Sequence, residues 1–143
     1  MTHFIYIRRI LGTWGIVVLV YTGIFWLSHQ AGLRSDFSLI SDIVLRKGAH
    51  MVEFALLYIS LVWALWFWTK KATWDTYSRL SHATSYAFIG GLIAILSDEF
   101  HQMFVYGRTA GMQDIGFDML GLFLGYVVVV AFWYIHKRSG IYK

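Results

Sequence analysis

Between Ile10 and Leu27 the chain carries no charged side chain. At roughly 1.5 Å of helix rise per residue, such a run is long enough to cross a hydrocarbon core about 30 Å thick. Three later stretches share this character, which gives four expected spans at about 10–27, 46–68, 83–104 and 113–135. In the second, the apolar body from Met51 to Trp68 is broken only by Glu53. Lipid offers backbone N–H and C=O groups no partners, so such segments must satisfy their own hydrogen bonds as helices. Composition agrees: 58% of residues are hydrophobic and 14% charged, against roughly 25% charged in soluble domains. The expected architecture is all-α, an integral membrane bundle of four transmembrane helices forming a single domain over residues 1–143. Ser28-His29-Gln30 follows the first span rather than a small-residue cleavage site, so that span is read as retained.

The chain has no cysteine, which excludes disulfides and thiolate metal sites. It has no proline either, so no helix needs to kink for want of a backbone donor. The net charge of +4 does not indicate nucleic acid, because the basic residues are scattered at span ends. They read as topology signals. Arg8, Arg9, Lys70, Lys71, Arg79, Lys137, Arg138 and Lys143 fall on one side, and Arg34, Arg46, Lys47 and Arg108 on the other. The positive-inside rule then places both termini in the cytoplasm. In the first loop, Phe37, Ile40 and Val44 have helical spacing and suggest a short interfacial helix, with Ser41 or Asp42 capping the next one. Residues 69–82 and 105–112 are expected as the second and third loops. Gly121 and Gly125 have the spacing of a helix-packing face.

The polar residues inside the spans are not scattered. Ser97-Asp98-Glu99-Phe100-His101-Gln102 closes the third span, and Gln113-Asp114 and Asp118 open the fourth. Arg46, Lys47, His50 and Glu53 open the second. With alternating helix directions all three groups fall at one depth, on the order of 10 Å below the outer surface. At about 100° per residue, Arg46, His50 and Glu53 share one face, as do Asp98, His101 and Gln102, with Glu99 off to one side. Asp114, Asp118 and Gly121 form a third stripe. Ionisable groups within a span are costly, and a functional site is their default reading. The expectation is an outward-facing polar pocket lined by these residues and by Arg108.

These motifs carry a resemblance. Phe25-x-x-Ser28-x-Gln30, Arg46-Lys47-x-x-His50-x-x-Glu53, Asp98-Glu99-x-His101-Gln102, Gly107-Arg108 and Asp114-x-x-x-Asp118-x-x-Gly121 together resemble the VanZ-like membrane proteins, over about residues 20–130. The resemblance implies a multi-pass protein of the bacterial cell membrane and envelope. The family's named member is linked to low-level resistance to the glycopeptide teicoplanin. Two positions depart from the pattern: Ala31 stands where many relatives have Pro, and Asp118 where many have Asn. The second departure adds a carboxylate.

Four functions compete for this cluster. The plainest is a polar clamp between helices, with Arg46 or Lys47 on Glu53 or Asp98 and Arg108 on Asp114. Interhelical polar contacts in membranes average only about 0.6 kcal/mol, a small return for burying Glu53, Asp98, Glu99, Asp114 and Asp118. A binding pocket for an anionic lipid headgroup, a lipid-linked wall precursor or the glycopeptide would use Arg46, Lys47 and Arg108 for phosphate. Gln102, Asp114 and Asp118 would assist the binding. A hydrolase or transferase would use His50 or His101 as base, with Glu53, Asp98 or Glu99 orienting it or acting as acid. The cofactor is left open. A divalent cation is one candidate, with those histidines and carboxylates as ligands, although no metal motif appears in the sequence. Ion or proton conduction is the fourth reading. His3, His29, His82 and His136 sit at span ends and receive no chemistry. Ser28 and Thr109 lack a base at a recognisable spacing.

Overall fold

A computed structural model defines residues 2–30, 39–68, 75–106 and 111–138, with side chains from residue 7 in the first helix and residue 44 in the second. Four helices follow in order: α1 Thr2–His29, α2 Leu39–Trp68, α3 Thr76–Gln102 and α4 Met112–Arg138. No strand occurs among the described residues. All four helices are long and apolar enough to cross a membrane. At 27 to 30 residues, α2, α3 and α4 are about 40 Å long by helix rise and extend past the roughly 30 Å core.

Helix direction alternates, so the ends of α1 and α3 meet the starts of α2 and α4. Both described chain ends therefore lie at the opposite end of the bundle. Helix α2 packs against each of the other three, while α1 and α4 do not touch among the described residues. The core is accordingly built around α2. Phe54, Leu57, Tyr58, Ala64 and Leu65 are buried there with Ile24 of α1, Ala83, Ala87 and Ile95 of α3, and Leu122 of α4. Leu11, Leu19, Ile93, Phe123 and Leu124 face outward. In water such exposure would be a liability, but hydrocarbon accepts these side chains.

The α2–α4 contact depends on two glycines. A Cβ at Gly121 would lie 2.5 Å from the Met51 carbonyl oxygen, and one at Gly125 would lie 2.8 Å from that of Ala55. Close backbone approach of this kind lets dispersion accumulate where no hydrophobic driving force exists between helices in lipid. The expected packing face is thus the one that seats α4 on α2.

Two boundaries differ from those read in the sequence. Leu39 already belongs to α2, so Ile40, Ser41 and Asp42 lie in its opening turns and neither a separate interfacial helix nor a cap at Ser41 or Asp42 forms. No Gly or Pro interrupts residues 39–47, so the helix simply continues. Phe37 lies outside the described residues. Helix α3 begins at Thr76, not near Ala83, because Asp75 caps it and accepts from the backbone N–H of Tyr77 and Ser78. A cap fixes the start of a helix whether or not the first turns are apolar. Arg79 then reaches back from α3, its Nε donating 2.9 Å to the Trp66 carbonyl near the end of α2, while its guanidinium lies over the Trp66 ring.

Candidate functional site

The buried carboxylates among the described residues gather at one end of the bundle, the end opposite both described chain ends. The closest assembly is at Asp98, which is 1% exposed. Its Oδ2 accepts from the Gln102 Nε2 at 2.7 Å, one turn on, and from the Ser28 hydroxyl of α1 at 2.9 Å. Its Oδ1 is buried and has no hydrogen-bond partner among the described residues. A buried carboxylate oxygen without a donor is costly, so this atom requires an explanation.

Around it stand the other acids. Asp118 of α4 is 2% exposed and interacts electrostatically with Asp98, Glu99, Asp114 and Glu53. Glu99 is buried, and its Oε2 accepts from the Gly111 backbone N–H at 3.1 Å. Helical phase alone set Glu99 aside, but it belongs to the buried stripe of α3 with Ile95, Asp98 and Gln102. It turns toward the start of α4. On α2, the His50 Nδ1 lies 3.3 Å from the Glu53 Oε2, with both side chains mostly buried.

The cations sit at the rim. The Lys47 Nζ is 3.2 Å from the Asp114 Oδ1 and 4.5 Å from the Phe117 ring centre. Arg46 is exposed. Its neighbour Lys47, not Arg46, meets α4. Arg108 lies outside the described residues.

His101 faces α1, away from the acids on α4. Its ring stacks on Phe25 at 3.8 Å between centres, and its Nε2 lies 3.3 Å from the His29 Nδ1. Above this pair in the helix, Tyr21 donates to the Ser97 hydroxyl at 2.9 Å. Four residues of α1 that received no chemistry from the sequence, Tyr21, Phe25, Ser28 and His29, thus form the fourth wall. Their spacing of i, i+4, i+7 and i+8 was the available signal for one helix face.

The residues present suit a divalent cation in chemistry but not in placement. Among the described residues, no three His, Asp or Glu side chains stand where one ion could be held. What remains is a recessed, acceptor-rich site with cations at its edge. It can take several donors at once and meet a negative group at the rim.

Fold and site together define a multi-pass α-helical membrane protein whose buried polar site lies near one membrane face. The chain belongs to the VanZ/LLP1 family, whose sequence profile matches residues 2–134. Comparison with curated proteins and with solved structures gave no match.

Proposed function

We propose that this protein binds the polar head of an anionic lipid or lipid-linked wall precursor in the site around Asp98, at the outer face of the bacterial cell membrane. The termini are then cytoplasmic, in keeping with the charge distribution along the chain. The observation that carries the reading is the Asp98 carboxylate: one oxygen is held by Ser28 and Gln102, and the other is buried with no donor among the described residues. Two partners from two helices fix the group, so its second oxygen is presented in a defined direction. A sugar hydroxyl or peptide amine would complete it, with Glu99 and Asp118 as further acceptors. Arg46, Lys47 and Arg108 are assigned to the phosphate at the rim. A protein holding a wall precursor this way would change how a glycopeptide such as teicoplanin reaches its target, so low-level resistance is the expected phenotype.

A second reading rests on the His50–Glu53 pair. A histidine beside a carboxylate is the pairing of a general acid–base centre, as in a hydrolase or transferase acting on a lipid-linked substrate. Native mass spectrometry of purified protein tests the first reading. A co-purifying polyprenyl phosphate, glycolipid or anionic phospholipid that is lost in Asp98→Asn supports binding. Release of a cleaved head group by the wild type and not by His50→Gln favours the second.

A further inference from the structure

The opposite end of the bundle holds a feature that the polar site does not use. Beyond Gly125 the residues of α4 facing α2 become large, and a groove of about 490 Å³ opens there. Ile59, Val62, Trp63 and Trp66 line one wall, and Val128, Val129, Phe132 and Trp133 the other, with Leu80 of α3 closing one end. Its size falls in the range of about 300–1,000 Å³ typical of small-molecule sites. Its walls are almost wholly apolar, which suits a hydrocarbon chain.

The mouth is cationic. The Lys137 Nζ stands 4.9 Å from the centre of the Trp133 ring, and the Arg79 guanidinium 4.1 Å from that of Trp66; both rings line the groove. Arg138 follows Lys137 and lies over Tyr134. Against these, Asp75 is the one carboxylate at this end among the described residues. One polar atom marks the wall itself. The Trp133 indole N–H is buried and has no acceptor among the described residues.

We propose that this groove is a second, separate site, for one anionic phospholipid. An acyl chain fills the space between α2 and α4. The phosphate meets Lys137 and Arg138 at the groove's mouth. Charge complementarity selects the occupant: a zwitterionic lipid would fill the groove equally but would gain less from the cations at its mouth. By helix rise Val128 lies about 15 Å along α4 from Asp118 and Lys137 roughly 28 Å, so the site stands or falls independently of the reading given above.

The test uses delipidated protein in detergent, titrated with phosphatidylglycerol or phosphatidylcholine and followed by native mass spectrometry. The wild type should retain one phosphatidylglycerol roughly thirtyfold more tightly than phosphatidylcholine, the size of effect expected for two cations near the membrane surface. Lys137→Gln with Arg138→Gln should bring the two lipids to equal affinity. Both positions are exposed, so the fold does not depend on them. Val128→Trp, at an exposed position on the wall, should fill the groove and abolish retention of both lipids. In an Asp98→Asn background, where the polar site is disabled, the groove should still retain one phosphatidylglycerol with the same preference. Equal retention of the two lipids by the wild type, or undiminished phosphatidylglycerol binding in either groove variant, would overturn the proposal.

Discussion

The Ser28 hydroxyl of α1 donates to the Asp98 carboxylate of α3 across 2.9 Å, joining residues 70 positions apart in the chain. Contact between α1 and α3 is otherwise sparse, and the bond is fully buried. Ser28→Ala is expected to cost about 1 kcal/mol in a steric-trapping or SDS-unfolding measurement, within the range of up to about 1.7 kcal/mol found for such bonds. A loss of several kcal/mol would mean that the Asp98 cluster is chiefly a clamp.

Asp98→Asn keeps the shape of the side chain and can still accept from Ser28, but it removes the charge. Asp98→Asn and, separately, His101→Ala should each abolish whatever glycopeptide protection expression of the wild type confers, while membrane levels on a blot stay near wild type. Disappearance of the protein itself would support the clamp reading.

The Gly121–Met51 approach makes a steric prediction. Gly121→Ala places a methyl against backbone that cannot move aside, and overpacking of this kind typically costs about 1–3 kcal/mol. Gly116→Ala, where a Cβ would meet nothing within 4 Å, should be near neutral. Thermal unfolding of the two variants beside the wild type checks this; equal melting temperatures would contradict the packing described.

Much of this arrangement was legible in the sequence, because hydrocarbon imposes a simple rule on composition. Four charge-poor runs could only be helices, and alternating directions bring Glu53, Asp98 and Asp118 to one depth. What hydropathy does not encode is where a helix stops. Thr76 to His82 look like loop because they are polar, yet Asp75 caps them into α3. Nor does the phase of one helix say where its neighbours pack. Arg46 and Lys47 are adjacent, and only the position of α4 decides that Lys47 meets Asp114. The fourth wall was missed for the same reason: Ser28 and His29 look like ordinary residues at a span end until α3 sets Asp98 and His101 beside them.

The Lys47–Asp114 pair is about a quarter to a third exposed. Partial exposure to water and salt limits such pairs to roughly 0–1 kcal/mol. A double-mutant cycle with Lys47→Met and Asp114→Asn should give a coupling within that range. A much larger coupling would mean that the rim is shielded and that Lys47 is committed to structure.

The Asp75 cap has a pH signature. Its carboxyl is held below the usual 3.8, first by the Ser78 side chain and then by the backbone N–H groups of Ser78 and Tyr77. A depressed folded-state value means the stabilisation is complete above 3.8 and is lost as pH falls through that lower value. Protection of the Tyr77 and Ser78 amides, taken relative to the intrinsic exchange rate at each pH, should therefore be higher at neutral pH and fall in acid. In Asp75→Ala it should be low throughout. Protection at these amides that is indifferent both to acid and to the substitution would contradict the cap.

The most direct test of the polar site is the amount of lipid-borne head group that co-purifies with wild type, Asp98→Asn and Ser28→Ala, quantified side by side by native mass spectrometry. The expected result is about one equivalent more on the wild type than on Asp98→Asn and an intermediate amount on Ser28→Ala, with all three proteins equally monodisperse. Equal ligand content in the three, or none in any under conditions that preserve lipid contacts, would contradict a binding role for the Asp98 carboxylate.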